Sequence, residues 1–245
     1  MKDAFGFTPE QYVWYGAYPG SVSLISDEFR WKEYVRNSLV ETAISKDVFM
    51  LNRIDKPALF RNLFELSCSY SGQMLSFNKI VGQLQDAGNT TTLSHYLNLL
   101  DVAGLVMGLE KFSNVKIRTR SSSPKLQVYN TALMASLSSH SFETIINEPA
   151  LWGRHVESAI GMHLLNSCKG TDISVSYWRS VNDEVDFVLE SKGKVIAIEV
   201  KSGNKYRKSG MEAFAKQFET SKVLLIGTGG IAWQEFITIP ATQLF

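Results

Sequence analysis

Only two cysteines, Cys68 and Cys168, occur in the 245 residues, and neither has a Cys or His neighbour at zinc-ligand spacing. This argues against both a disulfide framework and a structural zinc, and reads the two as buried thiols. No apolar run approaches the roughly 18 residues that a membrane-spanning helix needs. The Met1–Phe7 start has neither the charged region nor the apolar stretch of a signal peptide, so the expected address is the cytosol, with no membrane partner. Charge of one sign is also missing. Twenty-five basic residues face 24 acidic ones, for a net charge of +1, which excludes a globally basic nucleic-acid binder and leaves local patches open. A Gly-x-x-x-x-Gly-Lys-Ser/Thr phosphate loop is absent too: Gly193-Lys194 is followed by Val195, so no ATP site is expected in this chain.

What is present divides by pattern. Up to about residue 110 the chain reads as helices, and from about 172 as short strands rich in Val, Ile and aromatics around one helix. In the first stretch, Tyr15-Gly16-Ala17-Tyr18-Pro19-Gly20 reads as a turn. Asp27 then reads as the N-cap of a long helix through Trp31, Tyr34, Val35, Leu39 and Ala43. This piece is too short for a core of its own, and its aromatics are expected to pack on something else.

From Leu59 the order becomes specific. Amphipathic helices are expected at 59–66, 75–84 and 91–103, the third burying Leu93, Tyr96, Leu97 and Leu100. Strands at 105–112 and 125–129 follow, around a polar loop carrying Arg118 and Arg120. Three helices and a two-stranded wing are the order of a winged helix-turn-helix. Thr91, Thr92, Ser94, His95 and Asn98 would then face outward on a recognition helix, with Arg118, Arg120 and Lys125 near the wing as DNA contacts. Against this, no Arg or Lys lies between Thr90 and Asp101 to attract phosphate, and winged helices also serve as protein-interaction modules.

The stretch that carries chemistry runs from Tyr177 to Lys201. Two strands meet at Lys192-Gly193, and an antiparallel hairpin turning there pairs residues whose numbers sum to 385, which sets Asp186 across from Glu199. Their Cβ atoms would lie about 5 Å apart on the face that also carries Lys201. Facing carboxylates destabilise a sheet unless a cation compensates, and oxygen-only ligands suit Mg²⁺ or Mn²⁺ better than zinc. Glu157, at the edge of the apolar stripe of an expected helix over 152–166, is a third candidate ligand. Lys201 could orient an attacking water or neutralise charge developing on a phosphate. Lys205, Arg207 and Lys208 follow where phosphate contacts would be useful. A solvated charged hairpin, with Glu199 merely pairing Lys201, is the plainer alternative for these residues.

Glu157, then Asp186 within Glu-Val-Asp-Phe, then Glu199-Val200-Lys201, resembles the PD-(D/E)xK nuclease pattern, and the element order helix, three strands, helix, strand resembles that superfamily's αβββαβ core. Val185 stands where that superfamily has proline. Tyr-Gly-x-Tyr-Pro-Gly, Asn89-Thr90-Thr91-Thr92-Leu93, Ser123-Pro124-Lys125, Tyr177-Trp178-Arg179 and Ile198-Glu199-Val200-Lys201-Ser202 together are similar to the C-terminal half of a prokaryotic AAA-type ATPase family. That family carries a winged helix and a C-terminal domain of unknown function with a nuclease-like fold. The resemblance implies a multidomain α+β and α/β chain: a helical lid-like segment at 1–55, a winged helix-turn-helix at 56–147 and a nuclease-like domain at 148–245. It further implies catalytic roles for Glu157, Asp186, Glu199 and Lys201, the three acids holding the metal. Partners would be DNA and an ATPase or other protein. The competing expectation is an inactive nuclease-fold platform that binds DNA or protein.

Overall fold

A computed structural model describes residues 1–84, 89–113, 122–201 and 209–245. The chain is mixed α+β, and its described residues form one two-stranded and one four-stranded sheet. Among the described residues no helix is long and apolar enough to cross a membrane.

The amino-terminal half is built from helices packed on a small sheet. It opens with α1 (Lys2–Phe5) and α2 (Pro9–Tyr15), the latter held at its start by a reciprocal capping pair between Thr8 and Gln11. Asp27 caps α3 (Glu28–Glu33) through the Arg30 amide, as expected. The single long helix expected beyond it is different in kind: the turns widen to π-type over Tyr34–Val40 and Ala43–Phe49. Spacing supplies the reason. The buried side chains Trp31, Val35, Val40, Ile44 and Val48 recur every four or five positions, too far apart for 3.6 residues per turn, and the wider turn keeps them in one line.

Then come α4 (Pro57–Ser69), α5 (Phe77–Gln83), α6 (Thr90–Val102), and the antiparallel pair β1 (Val106–Leu109) and β2 (Lys125–Val128). Ser76 and Asn89 cap α5 and α6. The expected inward face of α6 is buried, with Leu99 added. Trp14, Tyr15 and Trp31 are buried in the same core as Phe60, Leu63, Leu93 and Leu126, so the aromatics of the first segment are covered by the helices that follow. Two short helices, α7 (Thr131–Leu137) and α8 (Phe142–Ile146), lead onward.

The carboxy-terminal half starts with α9 (Pro149–Cys168). The sheet comprises β3 (Ser174–Arg179), β4 (Glu184–Ser191), β5 (Lys194–Lys201) and β6 (Lys222–Gly227) in that spatial order, antiparallel except for the parallel β5–β6 pair. Between β5 and β6 lies α10 (Ser209–Gln217), and α11 (Trp233–Phe236) follows β6. Alternation along β5 sorts the two faces. Ile196 and Ile198 join the α9 side with Val156, Ile160 and Leu164, while Val195 and Ala197 join Phe214 and Phe218 of the α10 side. The hairpin turns at Lys192 (φ 49°) and Gly193 (φ 77°), two consecutive left-handed residues that match the twist of the strands.

The halves are joined by backbone as well as by side chains. Beyond β1, Phe112 N–H donates to the Tyr177 carbonyl (2.6 Å) and Tyr177 N–H donates to that of Glu110 (3.1 Å). Val13 and Leu109 of the first half are buried in the core beneath α9.

Candidate functional site

The β4–β5 register has the expected sum, running from Ser191↔Lys194 to Phe187↔Ile198. The next rung would be Asp186 and Glu199, and there the ladder changes. Against β3 the register moves from Ser176↔Val188 to Trp178↔Val185, so two steps along β3 match three along β4. Such a bulge bends a strand and re-aims the side chains beside it. Asp186 sits within it, and its Oδ2 accepts the Val200 N–H at 2.8 Å.

Four carboxylates gather around this point, and two ammonium groups lie among them. Lys125, from β2, is fully buried. Its Nζ lies 2.7 Å from Glu157 Oε1, 3.3 Å from Asp186 Oδ1 and 4.0 Å from Glu184 Oε1. It also donates to the Asp186 carbonyl at 3.2 Å and lies 4.8 Å from the centre of the Phe187 ring. Lys201 pairs with Glu199 Oε1. The second oxygen of Glu199, Oε2, is buried with no hydrogen-bond partner.

Burial dominates the electrostatics. It pushes Glu157 and Glu199 each up to about 7, assisted for both by the neighbouring charges of Asp186 and Glu184 and opposed by Lys125 and Lys201 respectively. Glu184 is raised for the same reason. Burial works against the charge of Lys125 and Lys201. The carboxylates around each more than reverse this and hold both lysines above the ordinary value.

The structure thus brings Glu157, Asp186, Glu199 and Lys201 together, and adds two residues to them. From the sequence Glu184 belongs to a solvated charged hairpin; the bulge turns it toward Lys125. Lys125 is a correction. Its position after a polar loop suggested a wing cation available to DNA, yet the side chain lies beneath α9 among carboxylates and exposes nothing to a phosphate. On α6, Thr91, Ser94, His95 and Asn98 are exposed, and Thr92 is half-buried with its hydroxyl on Asn89. Arg118, Arg120, Lys205, Arg207 and Lys208 lie outside the described residues.

Among the described residues no three acidic, histidine or cysteine side chains are arranged as a metal site. Glu157 and Asp186 converge, but on the Lys125 ammonium. Donor chemistry nevertheless fits a hard divalent cation. Four carboxylates against two ammoniums leave two negative charges when all are ionised, and the buried Glu199 Oε2 lacks a partner. Asp186 and Glu199 are the residues that could hold such an ion, with Glu157 as a third.

No curated protein and no solved structure matches the chain. Residues 152–244, which include all but the first three residues of α9 and the whole four-stranded sheet, match a domain of unknown function (DUF4143). Residues 7–144, over half of the chain, match a domain of unknown function (DUF8612), and the chain belongs to that family.

Proposed function

We propose that the carboxy-terminal half is a divalent-metal-dependent, PD-(D/E)xK nuclease-like domain acting on DNA phosphodiesters, and that β1, β2 and the three helices before them form a winged helix that presents the DNA. The observation that carries this reading is the assembly of Glu157, Asp186, Glu199 and Lys201 at a strand bulge, with one buried carboxylate oxygen left unpartnered. Asp186 and Glu199 would hold Mg²⁺ or Mn²⁺, with Glu157 completing the set; bound there, the ion would neutralise charge on the scissile phosphate. Lys201, kept protonated by its carboxylate neighbours, is suited to orient a water for in-line attack and to offset charge on the phosphate. Supporting the DNA-binding role are the exposed polar positions Thr91, Ser94, His95 and Asn98 along one side of α6. The match to DUF4143, a domain commonly associated with AAA-type ATPases, supports an ATPase as partner.

A second reading, a catalytically inactive platform for DNA or protein, is favoured by the buried Lys125, which already neutralises part of the acidic cluster from within. One experiment separates the two. Linear, single-stranded and branched DNA are incubated with the protein and Mg²⁺ or Mn²⁺, and cleavage is expected that vanishes in Asp186→Ala, Glu199→Ala and Lys201→Ala. Wild type inert on every substrate and metal would leave the platform reading. DNA affinity insensitive to salt would remove the winged helix as a phosphate-contacting element.

A further inference from the structure

We propose that Lys125 is the resident cation of the acidic pocket: supplied by β2 of the amino-terminal half, its ammonium holds the place between Glu157 and Asp186 and competes there with a divalent ion. The inference rests on the reading that the carboxylate cluster takes a divalent metal, and it adds a determinant of metal affinity that lies outside the three acids and the Glu-x-Lys strand.

The geometry is that of an occupied cation site. A lysine ammonium has three N–H donors, and three oxygens stand within hydrogen-bonding reach of Nζ: Glu157 Oε1 at 2.7 Å, Asp186 O at 3.2 Å and Asp186 Oδ1 at 3.3 Å. Glu184 Oε1 at 4.0 Å and the Phe187 ring face at 4.8 Å complete the surroundings. The lysine side chain is fully buried, while the carboxylates around it keep part of their surface in solvent. By contrast, the Glu199 side of the cluster is short of a cation, since Oε1 meets Lys201 and Oε2 meets nothing. An ion entering beside Glu199 and Asp186 would feel Lys125 as a fixed like charge across Asp186, and would compete with the ammonium for Glu157 Oε1. At such separations in a buried setting, one unit charge is enough to change an affinity by a factor of ten or more.

The test compares the full chain with Lys125→Met, which keeps the length of the side chain and drops its charge. Mn²⁺ binding is followed by the electron paramagnetic resonance of free Mn²⁺ and by the shift in melting temperature. The variant is expected to bind Mn²⁺ at least about tenfold more tightly. It should also lose thermal stability in chelator and regain it with Mn²⁺, but not with NaCl at equal ionic strength. In Lys125→Met/Glu157→Gln, which needs no cation at Glu157, both the tighter binding and the Mn²⁺ rescue should disappear. A Lys125→Met chain that folds only with Mn²⁺ present supports the proposal, and one that fails to fold even with Mn²⁺ overturns it. If the variant binds Mn²⁺ no more tightly than wild type, competition by Lys125 is overturned and the metal-dependent reading stands. If neither protein binds Mn²⁺, both fall together.

Discussion

Glu199 is the residue where burial and function pull against each other. Its carboxylate is buried beside Asp186, one oxygen on Lys201 and the other on nothing. It titrates at about 7 in the fold and at 4.5 in the ordinary case, with burial the main cause. In the unfolded chain the proton leaves near the lower value, so between the two values the folded state holds a proton that the unfolded state has released. The stability this gives is therefore full below 4.5 and is withdrawn as pH rises through about 7. Glu199→Gln removes the titration. In chelator it should match wild type near pH 4.5 and exceed it above pH 7 by on the order of 1–3 kcal/mol. The lost pairing with Lys201 subtracts less than that, because the lysine side chain is 27% exposed and an amide oxygen still accepts from it. Urea midpoints across the pH range measure the difference, and a gap of equal size at pH 4.5 and pH 8 would show that the buried charge is not its cause. The neighbourhood behind this was readable from the sequence, since hairpin arithmetic sets Asp186 across from Glu199, although the regular ladder ends one rung earlier, at Phe187 and Ile198. The role of Lys125 was not. A lysine after Ser-Pro at the end of a polar loop looks like a surface cation until α9 covers it, and that contact spans residues far apart in sequence.

At the scale of elements, the approach of α9 to β2 decides whether Glu157 reaches Lys125. A polar seam fixes that approach. Gln127 of β2 donates to the Ser158 carbonyl at 2.9 Å, and Ser158 Oγ donates to Ser71 Oγ at 2.9 Å, which in turn accepts the Val128 N–H. Gly161, one turn beyond Glu157, is where the side chain of Gln127 lies closest: a Cβ there would stand 2.2 Å from Gln127 Oε1. Gly161→Ala should gain roughly 1 kcal/mol of helix propensity. It should lose more than that, because Gln127 is fully buried and bonded in place, and overpacking such a site costs about 1–3 kcal/mol. The expected net is a lower melting temperature, and a smaller loss when Gly161→Ala is made in a Gln127→Ala background, where the obstruction is gone. A Gly161→Ala protein as stable as wild type would mean that the seam yields and does not set the helix position. Periodicity announced α9 and its apolar stripe, and runs rich in Val and Ile on either side of Lys192-Gly193 announced β4 and β5. The widened turns after α3 and the bulge at Asp186 were beyond such reading, because both are adjustments of a regular element to neighbours that local pattern does not contain.

For the whole molecule, the two matched regions, 7–144 and 152–244, are structurally interlocked. The backbone beyond β1 bonds to β3 through Tyr177, Val13 and Leu109 fill the core beneath α9, and Lys125 supplies a countercharge to Glu157 and Asp186. Removing one partner of a buried ion pair typically costs about 3–5 kcal/mol, which is a large share of the roughly 5–15 kcal/mol by which domains are stable. If the amino-terminal half opened alone, it would take Lys125 with it and leave the half-buried Glu157, Asp186 and Glu184 without that cation. Independent opening is therefore penalised, and the halves should unfold as one cooperative unit. Native-state hydrogen exchange measures this at two amides: Leu63 in the helical core and Ile198 in the sheet. Both should open with the same free energy and the same urea dependence in wild type. Glu157→Gln/Lys125→Met, which removes both charges of the closest pair together, should let the two values separate by relaxing that penalty. Distinct values already in wild type would show that the shared cluster joins the halves in space without joining them in energy.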